Sequence, residues 1–192
     1  MSLIVETTPI ADLLVVKPRM FRDDRGFFVE TWNRETFAAA GIATTFAQDN
    51  HSRSACGTLR GLHFQAGAPG QAKLIRCTRG RIWDVAVDIR PGSPTFGRHH
   101  AVELTPDDAA MFYIPEGFAH GFLALEDGTE VQYKCSTVYD AARESGLAWD
   151  DPDLNVPWPL DRVGGAPLLS ERDKGNVSFS AWSASLPASP RP

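Results

Sequence analysis

The chain has 192 residues, of which 43% are apolar and 22% are charged, and its formal net charge is −5. This composition is typical of a globular protein, and this length favours one domain. A net negative charge without a polybasic run argues against nucleic-acid binding, which needs a basic surface. No apolar run approaches the roughly 18 residues of a membrane-spanning segment. We therefore expect neither a nucleic-acid partner nor a membrane partner.

Short β-rich runs, separated by turns that contain Gly or Pro, dominate the chain as far as residue 138. The predicted strands are Leu13–Lys17, Phe27–Thr31, Thr44–Ala47, Leu59–Phe64, Lys73–Cys77, Ile82–Ile89, His99–Leu104, Met111–Ile114, Gly121–Leu125 and Glu130–Val138. Many short strands at such intervals favour a sandwich or a barrel. The sequence thus predicts a mainly β fold with a few short helices.

Regular helical signals are few. One helix is predicted over Arg34–Ala40, with Asn33 as its N-cap and Gly41 as the residue that ends it. A helical turn is predicted near Ala141–Glu144.

The last part of the chain has a different texture. From Asp150 onwards, prolines and glycines interrupt regular structure, and we expect this segment to cross the exterior or the mouth of the barrel. The domain is expected to span residues 1–182. Residues 183–192 contain three prolines and little to bury, so a flexible tail is predicted there.

Three scattered cysteines, Cys56, Cys77 and Cys135, share no metal-binding spacing. Cysteines in this pattern are typical of a reducing compartment. The N-terminal residues also lack the basic and apolar regions of a secretion signal. The expected location is therefore cytoplasmic, with Cys77 and Cys135 as small core residues inside strands.

One strand carries a single histidine where a metal site would need more. The segment Pro115–His120 resembles the second short motif of the cupin superfamily, whose fold is a double-stranded β-helix or jelly roll and whose histidine is usually a metal ligand. The first cupin motif would supply His-x-His and a Glu, but the matching strand here reads His63-Phe64-Gln65. His63 and His120 are too few to hold a divalent metal with an open position. We predict no metal site, and proton transfer instead.

A longer set of segments, in collinear order, resembles the dTDP-4-dehydrorhamnose 3,5-epimerase family. These segments are Asp23–Glu30, Gln48–Ser52, Leu59–Gln65, Lys73–Cys77, Asp84–Arg90, Ser93–Gly97, Ile114–Phe122, Tyr133-Lys134 and Leu169–Asp173. The resemblance implies a cupin-type jelly roll and an isomerase that epimerises C3 and C5 of a dTDP-4-keto-6-deoxyhexose. It also implies a homodimer and no cofactor.

The residues supply the groups that such chemistry needs. Hydrogens on the carbons beside a ketone are acidic, so inversion needs a base, an acid on the opposite face and a stabiliser of the enolate. His63 suits the base, since imidazole has an ordinary pKa of about 6.5. Tyr133 suits the acid and Lys73 the stabiliser. The family resemblance adds Asp173 as the carboxylate that orients His63.

Further residues are candidates for binding the dTDP-sugar, and several of them follow from the resemblance. They are Arg25, Phe27, Glu30, Gln48, Asn50, Arg60, His120, Glu144 and Arg172. Arg172 stands where many relatives are expected to have Lys, which keeps the charge but not the geometry. Arg25 lies in a turn from which it can reach a neighbouring subunit, and Ile4–Val16 is the other segment expected to cross the dimer axis.

Arg60 and His63 point to opposite faces of a regular strand. Both can line one pocket only if Gly61 marks a bulge or Arg60 lies at the strand's entry, so we predict an irregularity there.

Three alternatives stay open at this point. One is a C3- or C5-only epimerase or a ketoisomerase of another deoxysugar, which would use the same base and acid. Another is a metal-dependent cupin oxygenase or metal-sugar isomerase. The last is a sugar-nucleotide binder without catalytic activity.

Overall fold

The computed structural model describes residues 2–186. Two antiparallel sheets face each other and form the jelly roll that the sequence predicts. The strands are β1 Leu3–Thr7, β2 Leu14–Pro18, β3 Met20–Asp23, β4 Gly26–Val29, β5 Gln48–Ser54, β6 Leu59–Gln65, β7 Lys73–Arg79, β8 Ile82–Asp88, β9 His99–Leu104, β10 Met111–Ile114, β11 Phe118–Ala124, β12 Thr129–Cys135 and β13 Glu144–Gly146. The larger sheet has the strand order β1-β2-β10-β7-β12-β5, and the smaller has the order β13-β6-β11-β8-β9.

Apolar side chains from the inner faces of both sheets make the main core. Ile75 and Phe112 come from the larger sheet, and Ala86 and Phe122 come from the smaller one. Alternation along each strand sends every second residue into this layer. Cys77 and Cys135 are buried free thiols in strands β7 and β12, as predicted.

The helices are short, and each begins at a polar cap. Helix α1 covers Arg34–Ala39, and the Asn33 side chain accepts hydrogen bonds from two backbone N–H groups of its first turn, as predicted. Helices α2, Glu171–Lys174, and α3, Phe179–Ala184, both follow serine caps and were not predicted.

Segments outside the strands cover the outer faces. Phe37 of α1 packs with residues of the larger sheet's outer face. Leu147, Leu154 and Trp182 pack against the outer face of the smaller sheet, so the chain beyond Asp150 crosses the exterior as expected. The predicted tail, residues 183–192, lies outside the described residues from 187 onwards, and its first two residues end α3.

Some predicted boundaries are wrong. The predicted strand Thr44–Ala47 is irregular, and β5 begins at Gln48 instead. Strand β5 reads Gln-Asp-Asn-His-Ser-Arg-Ser, because it is a sheet edge whose faces meet a polar cavity and the exterior. Such a strand lacks the apolar alternation by which strands are recognised. Near Ala141–Glu144, a turn leads into β13, which begins at Glu144.

A buried carboxylate organises the loop after β8. Asp88 is fully buried and accepts hydrogen bonds from Arg90, Ser93 and Thr95. Burial opposes its ionisation, but these hydrogen bonds outweigh that effect and lower the pKa of Asp88 to about 2. The ionised carboxylate therefore stabilises the folded chain at neutral pH.

Candidate active site

A cavity of about 640 Å³ lies between the two sheets. Its walls come from β5, β7 and β12 of the larger sheet, from β6, β11 and β13 of the smaller sheet, and from α2. Most of the predicted site residues line it. They are Gln48, Asn50, Arg60, His63, Lys73, His120, Tyr133, Glu144, Arg172 and Asp173.

His63 and Asp173 form a hydrogen-bonded pair in this cavity. The Nε2 atom of His63 lies 2.5 Å from Oδ1 of Asp173, and the two side chains are 20% and 4% exposed. Burial alone would raise the pKa of Asp173, but hydrogen bonds from His63 and Ser170 outweigh it and hold that pKa below its ordinary value. An ionised carboxylate behind an imidazole stabilises the cation that forms when the ring takes a proton.

Strand β6 contains the irregularity that is needed for Arg60 and His63 to line the same cavity. The register of β6 against β11 shifts between the pairs of His120 and Phe122, and Arg60 and His63 both line the cavity. Gly61 has a φ of 143°, and a Cβ there would lie 2.5 Å from Cα of Gly121. Only glycine fits at this approach of two strands. The predicted irregularity is confirmed.

Lys73 begins β7 and is 8% exposed, so its ammonium group is enclosed by the cavity wall. Its Nζ donates a hydrogen bond of 3.5 Å to the backbone oxygen of His63. Burial lowers the pKa of Lys73, although Cys135, Asp84 and Glu144 act in the opposite direction. A buried ammonium group of this kind can stabilise a negative charge that develops in the cavity during a reaction.

His120 has its own carboxylate, which the sequence analysis missed. Its Nε2 atom lies 2.9 Å from Oδ1 of Asp84, which is fully buried. Burial lowers the pKa of His120, whereas Asp84 raises it, and the net direction is downward. The Oδ2 atom of Asp84 has no hydrogen-bond partner among the described residues. The cavity therefore contains a second histidine–aspartate pair.

Tyr133 enters the cavity from the wall opposite His63. It lies on β12 of the larger sheet, whereas His63 lies on β6 of the smaller sheet. Tyr133 packs against the core cluster that includes Val131, as expected for an inward face. Burial raises the pKa of Tyr133, so its phenol keeps its proton well above neutral pH. A base and an acid thus stand on facing walls.

A polar network borders the cavity. Glu144 accepts hydrogen bonds from the Tyr139 hydroxyl at 2.6 Å and from Arg172 at 2.5 Å. Gln48 donates a hydrogen bond to Asn50 at 3.0 Å and accepts one from the Tyr139 backbone N–H at 2.8 Å. Tyr139 was missed, because it follows a strand in a loop and no periodic pattern marks it.

Three predicted binding residues do not line this cavity. Arg25 is exposed at the tip of the β3–β4 hairpin and pairs with Asp23 at 2.5 Å. Phe27 is 61% exposed on the same hairpin. Glu30 accepts a hydrogen bond of 3.4 Å from Asn33. Within one chain these residues lie apart from the other predicted binding residues, because the hairpin forms a separate two-stranded sheet. Their binding roles stay a prediction.

Neither metal nor membrane features stand out in the described part of the chain. Among residues 2–186, no group of three or more His, Cys, Asp or Glu side chains is placed to hold a metal ion. No helix in that range has the length and apolar character needed to cross a bilayer.

Comparison with known proteins gives a consistent result. The model of the dTDP-4-dehydrorhamnose 3,5-epimerase family matches residues 7–181. The curated dTDP-4-dehydrorhamnose 3,5-epimerase of Escherichia coli strain K12 is 49% identical over 168 residues, which cover 87% of this chain and 89% of that protein.

Solved structures are similar over nearly the whole chain. A 3,5-epimerase from Legionella pneumophila, in complex with dTDP-4-keto-L-rhamnose, has a TM-score of 0.88 and 38% identity, covering 93% of this chain and 94% of that one. A 3'-monoepimerase from Streptomyces bikiniensis, in complex with dTDP-quinovose, has a TM-score of 0.82 and 35% identity, covering 92% and 94%.

Proposed function

Because the chain belongs to the dTDP-4-dehydrorhamnose 3,5-epimerase family, a family of isomerases, we propose that it inverts both C3 and C5 of dTDP-4-dehydro-6-deoxyglucose. The product is dTDP-4-dehydrorhamnose. The observation that carries the proposal is the placement of His63 and Tyr133 on facing walls of one cavity. Inversion requires a proton to leave one face of the sugar and another to arrive on the opposite face.

His63 is the base in this proposal. It removes the proton from the carbon beside the C4 ketone, and the Asp173 carboxylate, 2.5 Å from the ring, stabilises the imidazolium that forms. The electron pair of the broken C–H bond moves into the enolate, whose negative charge lies on the C4 oxygen. Lys73 and His120, both in the cavity wall, are the groups available to stabilise that oxygen.

Tyr133 then donates its phenolic proton to the carbanion carbon from the other side. Its raised pKa favours the protonated form that an acid needs before each turnover. His63 then releases its proton to water and Tyr133 takes one from water, after which the same steps at the second carbon complete the double inversion. Each inversion removes one proton and returns one, so the sugar keeps its oxidation state and the proposed reaction needs no redox cofactor.

The nucleotide end of the substrate is assigned to the polar border of the cavity. Arg60 and Arg172 supply guanidinium groups, which suit diphosphate oxygens. Gln48, Asn50 and Glu144 supply hydrogen-bonding groups for the sugar or the base. Arg172 is paired with Glu144 in the present structure, so diphosphate binding competes with that ion pair.

We further propose a homodimer in which the β3–β4 hairpin of one chain completes the cavity of the other. Phe27 and Phe28 are 61% and 62% exposed on this hairpin, which is more apolar surface than a free hairpin tolerates without cost. When the hairpin lies at the cavity of a second copy, Phe27 stacks on the nucleobase of the bound substrate. Arg25 and Glu30 then bind polar groups of the same substrate. The exposed arginine and aromatic rings support this assignment, because these residue types are enriched at interfaces.

The product's stereochemistry tests the proposal directly. The chain is incubated with dTDP-4-dehydro-6-deoxyglucose together with a 4-ketoreductase that accepts only the rhamno-configured ketone. We expect dTDP-rhamnose to form at a rate that depends on this chain. Absence of product, with the substrate recovered unchanged, would refute the proposed activity.

One alternative has an observation in its favour. The similarity to a 3'-monoepimerase covers 92% of this chain, so the same fold serves inversion at one carbon. A mono-epimerase would incorporate solvent deuterium at a single carbon of the substrate, whereas the proposed enzyme incorporates it at both.

A further inference from the structure

Ser170 contacts Asp173 in two ways. Its Oγ accepts a hydrogen bond of 3.1 Å from the Asp173 backbone N–H, which caps helix α2. Its hydroxyl also donates a hydrogen bond of 2.7 Å to Oδ2 of Asp173. In an ordinary capping box, the acidic side chain returns to the backbone N–H of the cap residue. Here the carboxylate instead lies between the serine hydroxyl and a histidine ring.

The two oxygens of Asp173 therefore have separate partners. Oδ1 faces His63 at 2.5 Å, and Oδ2 faces Ser170 at 2.7 Å, in a side chain that is 4% exposed. Rotation of the carboxylate about its terminal torsion would break both hydrogen bonds together. The terminal torsion of Asp is otherwise soft, with a broad range of accessible angles. The hydrogen bond from the Ser170 hydroxyl restricts this torsion, because it holds Oδ2, the oxygen that does not face His63.

We propose that Ser170 is a positioning residue, whose hydroxyl holds the Asp173 carboxylate in the orientation that aligns the His63 ring for proton transfer. The inference rests on the proposed function, since it assigns His63 the role of base. Ser170 is exposed and borders the cavity. A direct contact with substrate is therefore the competing role that the experiment must separate from positioning.

Ser170→Ala removes the hydroxyl and leaves His63 and Asp173 in place. We expect kcat to fall about tenfold, the effect of one hydrogen bond to a charged group, while KM stays within about twofold. Ser170→Thr keeps a hydroxyl that can cap and donate, and it should retain more than about half of the activity.

The chain offers a matched control in Ser178, which caps α3 in the same manner. Its Oγ accepts the Ala181 backbone N–H at 3.2 Å, and it does not line the cavity. Ser178→Ala should lower the melting temperature, as Ser170→Ala should, because each variant loses one helix cap. It should leave kcat unchanged. Equal losses of kcat in the two alanine variants would overturn the proposal in favour of a general stability effect.

Proton NMR reads the same contact without any substrate. The ring proton of His63 in the hydrogen bond to Asp173 is assigned by its loss in His63→Asn. We expect Ser170→Ala to shift or broaden this signal, Ser170→Thr to restore it, and Ser178→Ala to leave it unchanged. An unchanged signal in Ser170→Ala would refute positioning, and so would a raised KM with unchanged kcat. A wild-type chain that fails to epimerise would refute the proposed function alone, because the NMR comparison still decides the role of Ser170.

Discussion

Replacing Asp173 by asparagine tests the role of the His63–Asp173 pair in the proposed mechanism. Asparagine has almost the same shape as aspartate, so the substitution removes the negative charge and preserves the packing of a side chain that is 4% exposed. The carboxylate lies 2.5 Å from His63, and it stabilises the ring more strongly once the ring has taken a proton. The charge is therefore worth more in the transition state than in the ground state.

The size of the effect follows from this contact. A hydrogen bond to a charged group contributes about 1.5–3 kcal/mol. At 1.36 kcal/mol for each factor of ten in rate, its loss lowers kcat about 10- to 150-fold. The carboxylate oxygens contact His63 and Ser170, so KM should change by less than about threefold.

Steady-state kinetics with a coupled ketoreductase measures both constants. Asp151→Asn is the matched control, since Asp151 is 3% exposed and its carboxylate accepts backbone N–H groups from Leu154 and Phe179 on the outer side of the smaller sheet. That variant should lose stability and keep its kcat. A kcat for Asp173→Asn within about threefold of wild type would refute the assignment of the pair.

Four further predictions follow from the same structure. Tyr133→Phe should lower product formation about 10²- to 10⁴-fold while His63 still exchanges substrate hydrogen with heavy water; equal loss of both by NMR would argue against separate acid and base roles. Because burial lowers the pKa of Lys73, wild-type kcat should decline as pH rises through a value below the ordinary 10.5, and a pH profile that stays flat to pH 10.5 would contradict a role for its cation. Asp88→Asn should lower the free energy of unfolding by about 2 kcal/mol at pH 7, and urea titrations should find this deficit shrinking as pH falls from about 4 towards 2, since the carboxylate's contribution is lost as pH falls through its lowered pKa. Mixing unfolded His63→Ala and Arg25→Ala chains and refolding them together should restore about a quarter of wild-type activity, because half of the dimers would contain one intact site; no recovery above either variant alone would contradict completion of the cavity by a second copy.

Much of the fold could be predicted because short apolar runs are separated by turns that contain Gly or Pro. Strand β5 escaped prediction because one of its faces lines the polar cavity and it forms a sheet edge. The irregularity at Gly61 was predicted from a conflict, since regular alternation cannot place Arg60 and His63 on one face. The register shift and the approach to Gly121 explain how the chain resolves that conflict.

The site was less accessible to sequence reasoning than the fold. His63 and Asp173 are 110 positions apart, and the resemblance alone brought them together. Asp84 was missed, although a register would have found it: His120 pairs with Ala86, so Asp84 is its diagonal neighbour on the same face of β8. The expected domain limit at residue 182, the dimer and the cytoplasmic location stay predictions.

His63 is proposed to take protons from two carbons of one bound sugar. This claim is tested by incubating dTDP-4-dehydro-6-deoxyglucose with the chain in heavy water and locating deuterium by NMR. We predict deuterium at both C3 and C5 with the wild-type chain, and at neither carbon with His63→Asn. Deuterium at only one carbon, or undiminished incorporation by His63→Asn, would contradict the claim.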